Sequence, residues 1–166
     1  MTNPLILQYR GISWVSRLIR WQTRSCYSHS AVMLRDGSVV EAWHRGGVLR
    51  SDYDTNHTPG TVVDVFTIEA PLAANQMESF LLDQLHLKYD WRGVLRFLTR
   101  RGPHPNRRWF CSELVAAAAR AGGVHLLHLA PEMVSPRDIG ASAMLKYSHS
   151  MTVGTAGQYP VKLNEA

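Results

Sequence analysis

Residues 27–43, YSHSAVMLRDGSVVEAW, place two β-prone runs on either side of Asp36-Gly37. An Asp-Gly pair between such runs is a strong hairpin signal, because the turn needs positive φ and these residues tolerate it best. The loop length then decides which side chains meet. With a two-residue loop, Arg35 faces Ser38, His29 faces His44, and Glu41 turns to the other side of the sheet. With a three-residue loop, Arg35-Asp36-Gly37, Gly37 is left-handed in a bulge and Leu34 faces Ser38. Ala31 then faces Glu41, which lies diagonal to His29 on the same face as His29, Ala31 and Met33. The three-residue register is preferred, since it gives the carboxylate between Val40 and Ala42 a partner, and an unpaired acid in an apolar strand is costly. The two-residue register keeps His44 open as the residue that orients His29.

Other elements follow from periodicity. GISWVSRLIRWQT places Ile12, Val15, Leu18, Ile19 and Gln22 on one helical face, with Arg17, Arg20 and Arg24 largely elsewhere, and predicts an amphipathic helix. Val62–Ile68 is a third strand, closed by Pro71. Met77, Phe80, Leu81 and Leu85 have helical spacing, and DWRGVLRFLTRR predicts a shorter helix. RRWFCSELVAAAARAGG begins a further helix, with Asn106 as a cap or Cys111 in the first turn, and ends at Gly122-Gly123. Ser135 and Pro136 suit the N-cap and first position of another, and QYPVKL a last short strand. Strands come early and helices late, which points to an α+β domain in which a small antiparallel sheet or open barrel packs against helices. Neither repeat nor linker divides the chain, so residues 1–166 are expected to form one domain.

Two cysteines, Cys26 and Cys111, exclude a dense disulfide framework and a four-cysteine zinc site. Cys26 and His29 fall on opposite strand faces with no second Cys/His pair, so no metal and no cofactor are expected. Cys111 is of another kind. At a helix N-terminus a thiolate is stabilised by unpaired N–H groups and the positive end of the macrodipole, and the same N–H groups can hold an oxyanion. Cys111, Leu114, Val115 and Ala118 share one face. A thiol needs a base, and His29, between Ser28 and Ser30 with Ala31 beyond, is the histidine whose small neighbours leave it accessible. The net charge of +5 would attract an anionic surface, but no recognition helix, zinc finger or aromatic platform accompanies it, so no nucleic acid is expected. Residues 1–11 lack a secretion signal and no apolar run is long enough to span a membrane. The chain is expected to be made as a soluble cytoplasmic protein, with export requiring phage delivery or a specialised secretion system.

The segments SWVSRLIRWQTRSCYSHSAVML, DGSVVEAW followed by GVLR, KYDW, WFCSELV and VSPRDI, distributed over roughly residues 11–142, resemble the NlpC-type branch of papain-like cysteine hydrolases. The order, His29 before Cys111, is that of the circularly permuted YiiX-like amidases. The resemblance implies a papain-like fold with Cys111 as nucleophile, His29 as general base and then acid, and Glu41 as third member. Tyr27 is implied as a residue lining the site or supplying a hydroxyl near the oxyanion. The implied reaction is cleavage of a peptide or acyl substrate through a thioester, with cell-wall peptide the expected substrate. The alternatives are lipid-directed acyl transfer of the lecithin:retinol acyltransferase type and a non-catalytic binding module.

Overall fold

The computed structural model describes residues 3–90 and 108–154. A six-stranded antiparallel sheet, ordered β4-β3-β2-β1-β5-β8, carries the fold. Its strands are β1 (Leu5–Arg10), β2 (His29–Met33), β3 (Val39–Trp43), β4 (Gly47–Ser51), β5 (Val62–Ile68) and β8 (Leu145–Thr152). Two short strands, β6 (Lys88–Tyr89) and β7 (Arg108–Trp109), pair in parallel beside it. The helices are α1 (Trp14–Thr23), α2 (Ala74–Asp83), α3 (Cys111–Ala121) and α4 (Pro136–Gly140). Among the described residues no helix is long and apolar enough to cross a membrane.

Alternation along the central strands splits the interior into two layers. Ile6, Val32, Val40, Ala42 and Phe66 meet Met77 and Leu81 of α2 and Leu114, Val115 and Ala118 of α3 on one face. Leu7, Tyr9, Ala31, Val39, Val63 and Val65 form the other, with Tyr53 from the β4–β5 loop packed against them. The face expected for α3 is thus the one it buries. β1 lies inside the sheet between β2 and β5 and is buried on both sides from Ile6 to Tyr9, so it shows no regular alternation of apolar and polar residues. β8 is an edge strand of mostly polar residues that the sequence patterns did not single out.

The hairpin adopts the three-residue register. Val32 pairs with Val40 and Met33 with Val39, and the Leu34 N–H donates to the Ser38 carbonyl at 2.7 Å. Gly37 takes φ +86° and its N–H closes the turn on the Leu34 carbonyl at 3.0 Å. Val62–Ile68, the α2 helix over Met77 and Leu81, and the Ser135 cap on α4 also follow the sequence expectations. The α1 helix departs from them: Ile19 is buried, whereas Ile12 and Leu18 lie on the outside with Trp14 and Trp21. Asn106, the DWRGVLRFLTRR helix beyond Asp90 and the QYPVKL strand lie outside the described residues.

Gly47 opens β4 with φ +82°, and a Cβ there would sit 2.0 Å from the Leu87 carbonyl oxygen. Gly37 has a similar φ but open space around it. Gly37→Ala is expected to cost about 1–2 kcal/mol, the left-handed penalty alone, and Gly47→Ala clearly more, because backbone must move. Urea unfolding of the two variants checks the order; equal losses would contradict it.

Candidate active site

The site grows from the end of the sheet where β2 begins. Tyr9 and His29 are paired across β1 and β2, and the hairpin register brings Glu41 to the same face. Its Oε2 receives the His29 Nε2–H at 2.7 Å. The same oxygen lies 3.1 Å from His57 Nε2, and Oε1 accepts from Asn56 Nδ2 at 2.8 Å. Glu41 is 1% exposed, so three donors take the place of the water it has lost. With Nε2 committed to Glu41, His29 also stands close enough to Cys111 for the two to interact electrostatically.

Cys111 is the first residue of α3 and is buried. The helix ladder starts with the Leu114 N–H donating to the Phe110 carbonyl at 3.0 Å, so the Cys111 N–H precedes it. Glu113 accepts the Phe110 N–H at 3.2 Å, and Ser112 ties this end to the Val134 carbonyl at 2.5 Å. The thiol is therefore held by a fixed helix terminus and faces an imidazole held by a fixed strand. Aromatic rings complete the enclosure. Tyr9 stacks on His57 at 3.8 Å, and Trp43 presents an edge to both His29 and His57 at 5.3 and 4.9 Å.

The electrostatics follow from this packing. Burial opposes charge on His29, but the Cys111 sulfur and the hydrogen bond to Glu41 outweigh it and raise the imidazole to about 10. Burial also opposes ionised Glu41, and the hydrogen bonds from His29 and His57 overcome it, holding the carboxyl well below the usual range. His57 is lowered, burial prevailing over its bond to Glu41. It serves as a neutral donor.

The structure thus brings Cys111, His29 and Glu41 together. His44 lies instead against Trp43, with ring centroids 4.7 Å apart. It does not bring in Tyr27, whose ring packs on Phe66 on the helix-bearing side and whose hydroxyl donates to Asp64 at 2.8 Å. Arg10 and Ser150 hold the same carboxylate. The tyrosine near the thiol is Tyr89 in the KYDW segment. Burial first, and then the Cys111 charge, push its hydroxyl well above the ordinary tyrosine value. Asn56, His57 and Tyr89 were not singled out from sequence; an Asn-His pair in a polar loop is the one signal that could have drawn attention to the first two.

A cavity of about 600 Å³ opens beside His29. Ile12, Leu18, Ile19, Trp43 and Tyr89 supply apolar walls, and Arg45 is the fixed charge in its lining.

Taken together, the chain is an α+β protein in which a thiol, an imidazole and a carboxylate gather at a helix terminus. Among solved structures the chain is similar to the metalloprotein YiiX from Escherichia coli O157:H7, at 16% identity and a TM-score of 0.66, over 91% of this chain and 97% of that one. This likeness establishes a YiiX-like fold. No protein-family model and no curated protein sequence matches the chain.

The donor set also fits a divalent metal in type. His29, Glu41 and His57 each offer a ligand atom, all within 4.8 Å of one another, and two imidazoles with a carboxylate are an ordinary zinc set. Both Nε2 atoms would have to exchange their protons for the ion.

The two shifts fix how stability depends on pH. The raised His29 value contributes stability that is complete below its ordinary value of 6.5 and fades as pH climbs to about 10. The lowered Glu41 value contributes stability present above its ordinary 4.5 and lost as pH falls. The difference in unfolding free energy between parent and His29→Ala is expected to shrink between pH 6 and pH 10 in urea titrations. A pH-independent difference would contradict the assignment.

Proposed function

We propose that the protein is a cysteine hydrolase of the permuted, NlpC-type papain-like class that cleaves an amide or ester through a thioester on Cys111. The observation that carries this reading is His29 sitting between the Cys111 sulfur and the Glu41 carboxylate. His29 takes the thiol proton as the sulfur attacks the carbonyl carbon, and Glu41 stabilises the imidazolium that forms. The Cys111 N–H, at the start of α3, donates to the oxyanion. His29 then returns the proton to the leaving amine or alkoxide, and the carbonyl reforms as a thioester. Water, deprotonated by His29, attacks that thioester and releases the acid and the free thiol.

Of the substrate classes the resemblance implies, the cavity supports an acyl-bearing molecule over a cell-wall peptide. Its lining joins an apolar group that an acyl chain can occupy, Ile12, Trp14, Leu18, Ile19 and Trp43, to a single fixed charge, Arg45, which offers little to a multiply charged peptide. Activated acyl esters of increasing chain length test this. Incubation is expected to yield a mass adduct on Cys111 that hydroxylamine removes, stronger with longer chains, absent in Cys111→Ala and reduced about 10²–10⁴-fold in rate in His29→Ala. Release of peptide from cell wall, with no acyl adduct, would overturn the substrate choice. No adduct and no peptide release would overturn the hydrolase.

A second reading is favoured by the clustering of His29, Glu41 and His57. A divalent ion held there would act as a Lewis acid toward water or a carbonyl. It would also occupy His29 Nε2, break the hydrogen bond to Glu41 and leave the ring unable to accept the Cys111 proton while its other nitrogen keeps a proton. The two readings therefore exclude each other in one molecule. Equilibrium dialysis against zinc decides between them: the hydrolase reading expects no stoichiometric retention and full thiol reactivity in chelator, whereas one retained ion lost in His57→Ala would favour the metal.

A further inference from the structure

The α1 helix carries large apolar side chains where a helix of this length would normally show polar ones. Trp14 and Trp21 are 78% and 76% exposed, and Leu18 between them is 47% exposed. Positions 14, 18 and 21 fall at i, i+4 and i+7, so the three side chains form one stripe. Arg17 lies within that stripe and Arg24 follows it, both exposed. Neither has an ion pair among the described residues. From Gly11 to Arg35 the chain holds no Asp or Glu. The outward face is therefore apolar and purely cationic at once.

Two exposed indoles flanking a leucine, with guanidinium groups at the same level, match the chemistry of a phospholipid headgroup region. Indoles settle at the boundary between acyl chains and headgroups, and arginines pair with phosphates. The position of the stripe adds a second observation. Ile12, Trp14 and Leu18 also line the cavity that His29 lines. A surface touching α1 would therefore lie beside that cavity.

We propose that the outer face of α1 docks on an anionic phospholipid bilayer, placing the cavity beside the lipid surface. Entry of the acyl substrate directly from that surface rests on the hydrolase reading; the docking itself does not.

The test is co-sedimentation of the full chain with vesicles of phosphatidylcholine containing 30 mol% phosphatidylglycerol, beside vesicles of phosphatidylcholine alone, with tryptophan emission recorded in parallel. Binding to the anionic vesicles, a blue shift and weakening with salt are expected. The double variant Trp14→Ala/Trp21→Ala should lose the blue shift and bind at least tenfold more weakly. Arg17→Glu/Arg24→Glu should lose the preference for anionic lipid. Circular dichroism on each variant separates lost docking from lost folding, and any misfolded pair is replaced by its single substitutions. Cys111→Ala should bind like the parent, so a failed hydrolase and a failed docking surface are distinguishable. Absence of binding to the anionic vesicles, or equal binding by folded stripe variants, would overturn the proposal. So would a dimer seen by light scattering that dissolves in the tryptophan variant while vesicles are ignored, since a second copy would then be the occupant.

Discussion

Glu41 is a carboxylate in the middle of a strand whose neighbours, Val40 and Ala42, are buried in the helix-packed core. Removing such a group from water costs several kcal/mol, and attraction to a partner repays this only where hydrogen bonds replace the lost solvent. Three donors from two parts of the chain do so here: His29 from the adjacent strand, and Asn56 and His57 from the loop after β4. Much of the surrounding structure is arranged around that requirement. The hairpin register must put Glu41 beside His29, the loop must fold back across the face of the sheet, and Tyr9 must stack beneath His57. A slip of one residue in β3 would turn the carboxylate to the helix-bearing face and leave His29 without it.

The same constraint connects stability to chemistry. A histidine held only by its strand could rotate away from the thiol. Held by Glu41 at Nε2, it stays beside Cys111, and the two neighbours together favour its charged form. His57 and Asn56 both hydrogen-bond Glu41 and hold the carboxylate in place. The α3 helix supplies the other half, because its first turn is tied down through Ser112 to Val134 and through Glu113 to the Phe110 amide. The three side chains thus come from two hairpin strands and a helix terminus, with the loop after β4 bracing the carboxylate.

How much of this was legible in the sequence can be read from particular residues. The hairpin was legible because its loop has discrete lengths, and the energetic argument about an unpaired Glu41 selected between them correctly. The helix N-terminus at Cys111 was legible from the apolar run that follows it. β1 was not, since a strand buried on both faces has no alternation, and LILQYR sets a buried polar Gln8 among apolar neighbours. β8 was not, because LKYSHSMT is an edge strand whose polar side chains hide its pairing with β5. His57 and Asn56 sit in a loop, where no periodicity fixes direction, so their convergence on Glu41 is a property of the tertiary fold. Tyr27 shows the opposite failure: closeness in sequence to His29 suggested a shared site, whereas the turn into β2 sends its ring to Phe66 and Asp64. On α1 the amphipathic helix was legible but the side that meets the core was not, because spacing alone cannot tell a core-facing stripe from an outward one.

The central claim is that Cys111 and His29 form an activated pair, and its most direct test is the pH dependence of iodoacetamide alkylation at Cys111. Cys26 is exposed and free, so the measurement belongs in a Cys26→Ser background, with and without His29→Ala. The account predicts rapid alkylation well below pH ~8.5, the ordinary range for a free thiol, and loss of that low-pH reactivity when His29 is removed. A thiol that stays unreactive until high pH, and is indifferent to His29→Ala, would contradict it and reduce Cys111 to a packing residue at the head of α3.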